Sequence, residues 1–250
     1  MNAVGLIPAR HAASRYPGKP LVEIAGKPMI QHVFEGARQA KRLREVVVAT
    51  DDERVAAACR RFGAPVVLTS PDHPTGTDRL AEAAAGIEGE LFVNVQGDEP
   101  LIEGFVIDAA VEALVADPGA SMSTVVHTAE PDGLDDPNRV KAVLDQSGRA
   151  LWFSRTRIPL LRDPDGPDAL SRTPTWWQHV GLYVYRREFL LAFVGLPQTP
   201  AERAEGLEQL RALEHGHAIR AAVVEGWRSV AVDVPEDVAL VERALRERGR

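Results

Sequence analysis

The 250-residue chain has one cysteine, no Gly-x-Gly triplet and no long apolar run. One cysteine cannot close an intramolecular disulfide or build a Cys-cluster zinc site, and such usage suits a reducing compartment, so a cytoplasmic location is expected. Without Gly-x-Gly the dinucleotide fingerprint is missing, which argues against a Rossmann dehydrogenase. No glycine stands five positions before either Gly-Lys pair, at 18–19 or 26–27, so there is no Walker A loop. No stretch approaches the roughly 20 apolar residues of a membrane span. Met1 to Arg10 lacks the charged start and apolar core of a signal peptide, and none is expected. Positive charge is also short: 29 Lys plus Arg against 36 Asp plus Glu leaves −7. That balance offers no basic field for nucleic acid or for a membrane surface. No internal repeat, low-complexity tract or linker interrupts the chain.

What is present is an ordinary foldable composition, 45% hydrophobic and 26% charged, long enough to bury a sizeable core. Ala3 to Ile7, Glu45 to Ala49, Pro65 to Leu68 and Leu91 to Val95 read as strands. Between them Pro28 to Ala40, Arg54 to Phe62, Thr77 to Ala85 and Glu103 to Val115 read as helices. This alternation predicts an α/β fold, a mostly parallel doubly wound sheet with helices on both faces. The second half is less regular. Ser121 to His127, Arg139 to Leu144, Ala150 to Ser154 and His179 to Tyr185 read as strands, the middle two as a hairpin across Asp145 to Gly148. Residues 162–175, with four prolines or glycines, read as a loop. Ala201 to Glu214 reads as one helix, Ile219 to Val224 as a strand and Pro235 to Arg248 as a closing helix. The economical organisation is one domain over 1–250 with an inserted mixed-strand region at about 121–185.

Ligands of open α/β sheets bind beyond the carboxyl ends of the strands, so the loops there carry the chemistry. The loop after the first strand, Pro8 to Leu21, holds Arg10, Arg15 and Lys19. Three cations so close repel one another unless an anion sits among them, and guanidinium forks match phosphate oxygens. A solvated basic loop is the plain alternative. Gln96-Gly97-Asp98 follows an apolar strand, which puts Asp98 at the middle of the ligand edge, where a carboxylate suits magnesium or simply caps the next helix. Asp233 and Glu236 have capping-box spacing; a metal carboxylate facing Asp98 is the second reading, and spacing alone does not choose. Thr75-Gly76-Thr77 is a turn before a helix whose free amides suit a base or a phosphate, and Arg79 follows one turn later as an anion partner or a solvated residue. The set points to phosphoryl-type transfer, which needs positioning and charge neutralisation, not a covalent nucleophile.

These segments, in this order, resemble the 3-deoxy-manno-octulosonate (Kdo) cytidylyltransferases, or CMP-Kdo synthetases. The likeness is carried by Ile-Pro-Ala-Arg-x4-Arg-x-Pro-Gly-Lys-Pro-Leu at 7–21, Gly-Lys-Pro-Met-Ile at 26–30, Ala-Thr-Asp-Asp at 49–52 and Gly-Thr-Asp-Arg at 76–79. It continues through Asn-Val-Gln-Gly-Asp-Glu-Pro at 94–100, Phe-Ser-Arg at 153–155 and His-Val-Gly-Leu-Tyr at 179–183. Gly-Leu-Glu-Gln-Leu-Arg at 206–211 and Val-Asp-x-Pro-Glu-Asp at 232–237 complete it. The resemblance implies that CTP and Kdo give CMP-Kdo and pyrophosphate for lipopolysaccharide, the anomeric hydroxyl attacking the α-phosphate in line with magnesium as cofactor. It implies a nucleotide site of Pro8, Ala9, Arg10, Arg15, Lys19 and Gly76, with Arg10, Arg15 and Lys19 on the triphosphate and Asp98 and Asp233 as catalytic metal carboxylates. It assigns Arg79, Gln96, Arg155, His179, Tyr183, Glu208 and Gln209 to the sugar pocket, and implies a homodimer through the inserted region. No nucleic-acid or membrane partner is expected.

Ala231 and Val234 stand where the family more often has Gly and Thr, Asp78 where it often has Glu, and Pro74-Thr75 where it often has Gln-Ser. His215-Gly216-His217 has no third ligand in view and reads as exposed, and Cys59 reads as a small core residue. Two alternatives remain: CMP activation of another acidic sugar, an 8-amino-Kdo or sialic-type nonulosonate, and a nucleotide-sensing module without chemistry. Sialate synthetases typically continue their opening loop with Gly-Gly-Ser-Lys, unlike His11 to Arg15, and a sensor has no need of Asp98 and Asp233 together.

Overall fold

In the computed structural model, residues 2–11, 16–162, 173–228 and 230–247 are described. The strand β1 (Ala3–Ala9) sends Ile7 and Ala9 into one apolar cluster and Val4 and Leu6 into another, because successive side chains of a strand alternate faces. Both faces must therefore be covered by helices. On one side lie α1 (Met29–Ala37), α2 (Glu53–Arg61) and α4 (Gly104–Ala116), which bury Val33 and Phe34, Val55 and Cys59, and Ile107 and Leu114. On the other lie α3 (Gly76–Ala85) and α5 (Arg187–Phe193), with Leu80, Phe189 and Phe193 inside.

The short pair β2 (Glu23–Ile24) and β3 (Lys27–Pro28) precedes α1. The main sheet then collects β4 (Leu43–Thr50), β5 (Val66–Leu68), β6 (Leu91–Asn94), β7 (Met122–Thr128), β8 (Lys141–Leu144), β9 (Ala150–Ser154), β10 (Trp177–Arg186) and β11 (Ile219–Val223). Its main order is β11-β7-β10-β6-β1-β4-β5. β1, β4, β5 and β6 pair in parallel, as do β7 and β11. β10 runs antiparallel between β6 and β7, and the expected hairpin, β8 with β9, branches from it. The α/β, mainly parallel reading therefore holds, with one reversed strand at its middle.

Several boundaries differ. The first helix stops at Ala37, three residues early, and the last one starts at Asp237 after a turn. The helix expected over 201–214 is two: α6 (Pro200–Glu205) and α7 (Gln209–Glu214), broken at Gly206, whose φ of 61° is left-handed. Leu207, Leu210 and Leu213 all follow Gly206, so their helical spacing describes only the second piece and says nothing of the break before it. Most of the loop expected at 162–175 lies outside the described residues. Cys59 is fully buried, and burial lifts its thiol to about 11, which makes it inert.

A third cluster fastens the end of the chain. Val232 and, from α8 (Asp237–Glu247), Val241 and Leu245 pack on Ile24, Met29 and Leu101. On the α1 side the backbones meet directly: a Cβ on Gly104 would lie 2.4 Å from Ala40 N. Gly104→Ala is expected to destabilise the fold by about 1–3 kcal/mol through overpacking, read as a lower urea midpoint with unchanged slope.

Candidate active site

Two loops build the floor of the site because a glycine lets them touch. Gly97, just past β6, lies so close to β1 that an added Cβ would be 2.7 Å from the Pro8 carbonyl oxygen. Above them opens a cleft of ≈ 270 Å³ lined by Pro8, Ala9, Arg10, Lys19, Gly76 and Asp98, among others. Pro8, Ala9, Arg10, Lys19 and Gly76, expected to hold the nucleotide, thus line one cleft with Asp98. Arg15 lies outside the described residues.

Lys19 follows Gly18, whose φ of 77° turns the loop back toward the sheet. Its ammonium donates to Asp98 Oδ2 at 2.8 Å and to the Val232 carbonyl at 2.9 Å, and stands 3.6 Å from Asp233 Oδ1. Asp98 and Asp233, 135 residues apart, therefore meet at one cation, and the Val232 N–H donates to the Asp98 carbonyl at 2.9 Å to hold them there. In the same turn Asp237 accepts the N–H groups of Asp233 and Val234 at 2.7 and 2.9 Å. Two carboxylates and a carbonyl around one point form a hard oxygen set that fits a divalent cation completed by phosphate and water. Among the described residues no cluster of three or more His, Cys, Asp or Glu could hold a metal alone.

Arg10 lines the same cleft. Its guanidinium donates to the carbonyls of His73, Pro74 and Thr75 and so fixes the segment leading into α3. That segment ends in a capping box: Thr75 Oγ1 accepts the Asp78 N–H, and the Asp78 carboxylate accepts the Thr75 N–H. The repulsion expected within the basic loop is thus relieved, for Arg10 and Lys19, by protein oxygens.

The residues expected around the sugar divide. His179 and Tyr183 share a face of β10, their rings 5.4 Å apart across a bulge. His179 Nε2 meets Thr124 Oγ1 at 2.9 Å, its ring lies edge-on to Phe153, and burial lowers its pKa to about 3, so the ring is neutral. Burial also raises the Tyr183 phenol above its usual value. Gln96 passes over Gly181 of the same strand, where a Cβ would lie 3.6 Å from its Cγ. Glu208 reaches back to α3 and accepts from Thr77 Oγ1 at 2.8 Å. Gln209 is buried, and its Nε2 has no hydrogen-bond partner among the described residues.

Two cations depart from that group. Arg79 is fully buried, not solvated, and faces Thr69 and Asp51, the latter at 3.2 Å, beyond the ends of β5 and β4. Burial lowers its pKa, and Asp51 opposes that shift. The sheet order puts this corner on the far side of β1 from β10, so Arg79 is not brought to His179 and Tyr183. Arg155 donates to the carbonyls of Glu205, Gly206 and Pro137, which anchors the left-handed turn before Glu208. His215 and His217 also part: His215 faces the Pro197 carbonyl, and His217, half-buried against expectation, faces Ser121 with its ring 4.5 Å from Phe189. Thr77 and Thr124 were missed because threonine in a helix start or a strand carries no distinct pattern; only the polar partner across the fold marks it.

A cytidylyltransferase family model matches residues 4–219. The 3-deoxy-manno-octulosonate cytidylyltransferase of Syntrophotalea carbinolica is 52% identical, covering 98% of this chain and 99% of that protein. Its namesake from Myxococcus xanthus is 49% identical, covering 99% and 98%. A solved CMP:2-keto-3-deoxy-manno-octonic acid synthetase complexed with CTP superposes with a TM-score of 0.92 at 38% identity, covering 99% of this chain and 100% of that one. A 4-diphosphocytidyl-2C-methyl-D-erythritol synthase from Anaerococcus prevotii, 9% identical with a TM-score of 0.64 and 98% of each chain covered, shares the fold. The loops that converge on Lys19 thus belong to a chain matched from end to end, and that chain is a member of the 3-deoxy-manno-octulosonate cytidylyltransferase family.

Proposed function

We propose that this nucleotidyltransferase transfers CMP from CTP to Kdo, giving CMP-Kdo and pyrophosphate. The observation that carries the reading is the meeting of Asp98, Asp233 and Lys19 at the edge of a cleft whose other wall is the Pro8 to Arg10 loop. The namesake relatives and the neighbour complexed with CTP support it. The sugar's anomeric oxygen forms the new bond to the α-phosphorus as the bond to the departing pyrophosphate breaks. Lys19 and Arg10 lie where they can neutralise a triphosphate; Gln96, His179, Tyr183 and Gln209 offer neutral hydrogen-bonding groups to a polyol. Asp98 and Asp233 would hold magnesium, which supplies charge stabilisation at the transferring phosphoryl group.

Supply of lipopolysaccharide sugar, action in the cytoplasm and a homodimer belong to the same proposal. No described helix is long and apolar enough to cross a membrane. The edge strand β9 presents Leu151 and Trp152 to solvent, an apolar strip that a second copy would cover.

With CTP, Kdo and magnesium the protein is expected to release pyrophosphate, with no release when either substrate is omitted. Release with ATP but not CTP would overturn the base assignment, and a panel of 3-deoxy sugar acids reads the acceptor. Asp98→Asn is expected to lower kcat by about 10²-fold or more at matched thermal stability; full activity would remove Asp98 from the chemistry. The half-buried, neutral His179 gives a further expectation. Its folded pKa is lower than the unfolded one, so below about pH 6.5 only the unfolded chain takes up its proton, and stability falls from there toward pH 3. His179→Gln is expected to flatten that part of the thermal-stability profile, measured by calorimetry between pH 7 and 4.

A further inference from the structure

Glu208 joins the two halves of the site. It stands in the turn after Gly206, and its carboxylate crosses to the first turn of α3, whose leading residue Gly76 lines the nucleotide cleft. Three groups stand near enough to set its position. Thr75 Oγ1 is 3.4 Å from Oε1, but its single proton is directed to Asp78 at 2.7 Å. Arg211 Nη2 is 3.8 Å away, but that guanidinium is held bidentately by the buried Glu202, with Nε 2.9 Å from Oε2 and Nη2 2.5 Å from Oε1. Thr77 is left. Its buried hydroxyl donates to Glu208 Oε2 at 2.8 Å, and the phenol of Tyr185 interacts with the same group.

We propose that the Thr77 hydroxyl is a positioning group that fixes the Glu208 carboxylate between the nucleotide cleft and the acceptor pocket, so that binding of an acidic sugar depends on it. This rests on the acceptor reading given above. A carboxylate beside an anionic sugar repels it unless its lone pairs are aimed at hydroxyl protons, so aim matters more than presence. The surroundings make the aim precarious. Burial favours the protonated acid, as do Asp78 and Glu202; Thr77 and Arg211 oppose them. Protonated, Glu208 would carry a donor where the sugar needs an acceptor.

Thr77→Val keeps the shape and removes the hydroxyl; Thr77→Ser restores it. With pyrophosphate release as the assay, T77V is expected to raise KM for Kdo about tenfold while KM for CTP stays within about twofold, and T77S is expected to return to wild type. The acid limb of kcat/KM for Kdo is expected to move to higher pH in T77V. A role in packing alone would change both KM values and the melting temperature together, and that result, or an unchanged KM for Kdo, overturns the proposal. A substrate-free measurement separates the two readings. The side-chain 13C titration of Glu208, assigned with Glu208→Gln, is expected to move its midpoint upward in T77V. An unmoved midpoint overturns the positioning role, whereas failure of wild type to turn over Kdo, with the midpoint moved, overturns only the acceptor assignment.

Discussion

The ammonium of Lys19 ties together parts of the chain that three separate stretches of packing deliver. The β1 loop brings the lysine, β6 leads to Asp98, and the small core around Met29, Leu101 and Val241 brings the segment with Val232 and Asp233. Two carboxylates this close repel each other, and the lysine offsets that repulsion with charge-assisted hydrogen bonds, stronger than neutral ones. The Val232 to Asp98 backbone bond sets the same join without charge. The metal-competent geometry is therefore a property of tertiary packing at the C-terminal helix, some distance in sequence from any motif.

That dependence explains what could be read from the residues. β1, β4, β5 and β6 were legible as short apolar runs between helical patterns, and the loops after β1 and β6 carry the motifs, whereas the two-residue strands β2 and β3 are too short to leave a pattern. Asp98 was legible as a strand-end acid. Its meeting with Asp233 was not, since no spacing rule links positions 98 and 233. The cations were legible as residues but not as partners. Arg155 and Arg79 have the charge for a sugar acid, yet their directions are set by the carbonyls of Glu205 and Gly206 and by Asp51, which only the fold places beside them. The break at Gly206 was hidden for the same reason: the leucine spacing begins only after it, and the anchor is the guanidinium of Arg155, just past β9.

β10 carries the proposed acceptor residues to the strand that leads into the cleft. The helix α4 carries the chain from β6 over to β7, and the reversed strand fills the place between them, pairs with both and carries His179 and Tyr183 into the space beside Gln96. Its alternation leaves Val180, Leu182 and Val184 in the core behind them. A neutral imidazole on that face follows from burial and suits a polyol, where an imidazolium would prefer the carboxylate alone.

The net charge of −7 takes on a local meaning in this arrangement. Each described cation near the cleft already has protein oxygens: carbonyls for Arg10, carboxylates and a carbonyl for Lys19, Asp51 and Thr69 for Arg79. A triphosphate entering the cleft competes with those oxygens, so its net gain is the difference between phosphate and internal partners, not the full attraction of bare charges. A generic anion that meets only one of these cations gains little from the exchange. A ligand that reaches Arg10 and Lys19 together while a divalent ion takes over Asp98 and Asp233 satisfies every group at once. Discrimination among phosphorylated ligands is thus built into the neutralised resting state itself.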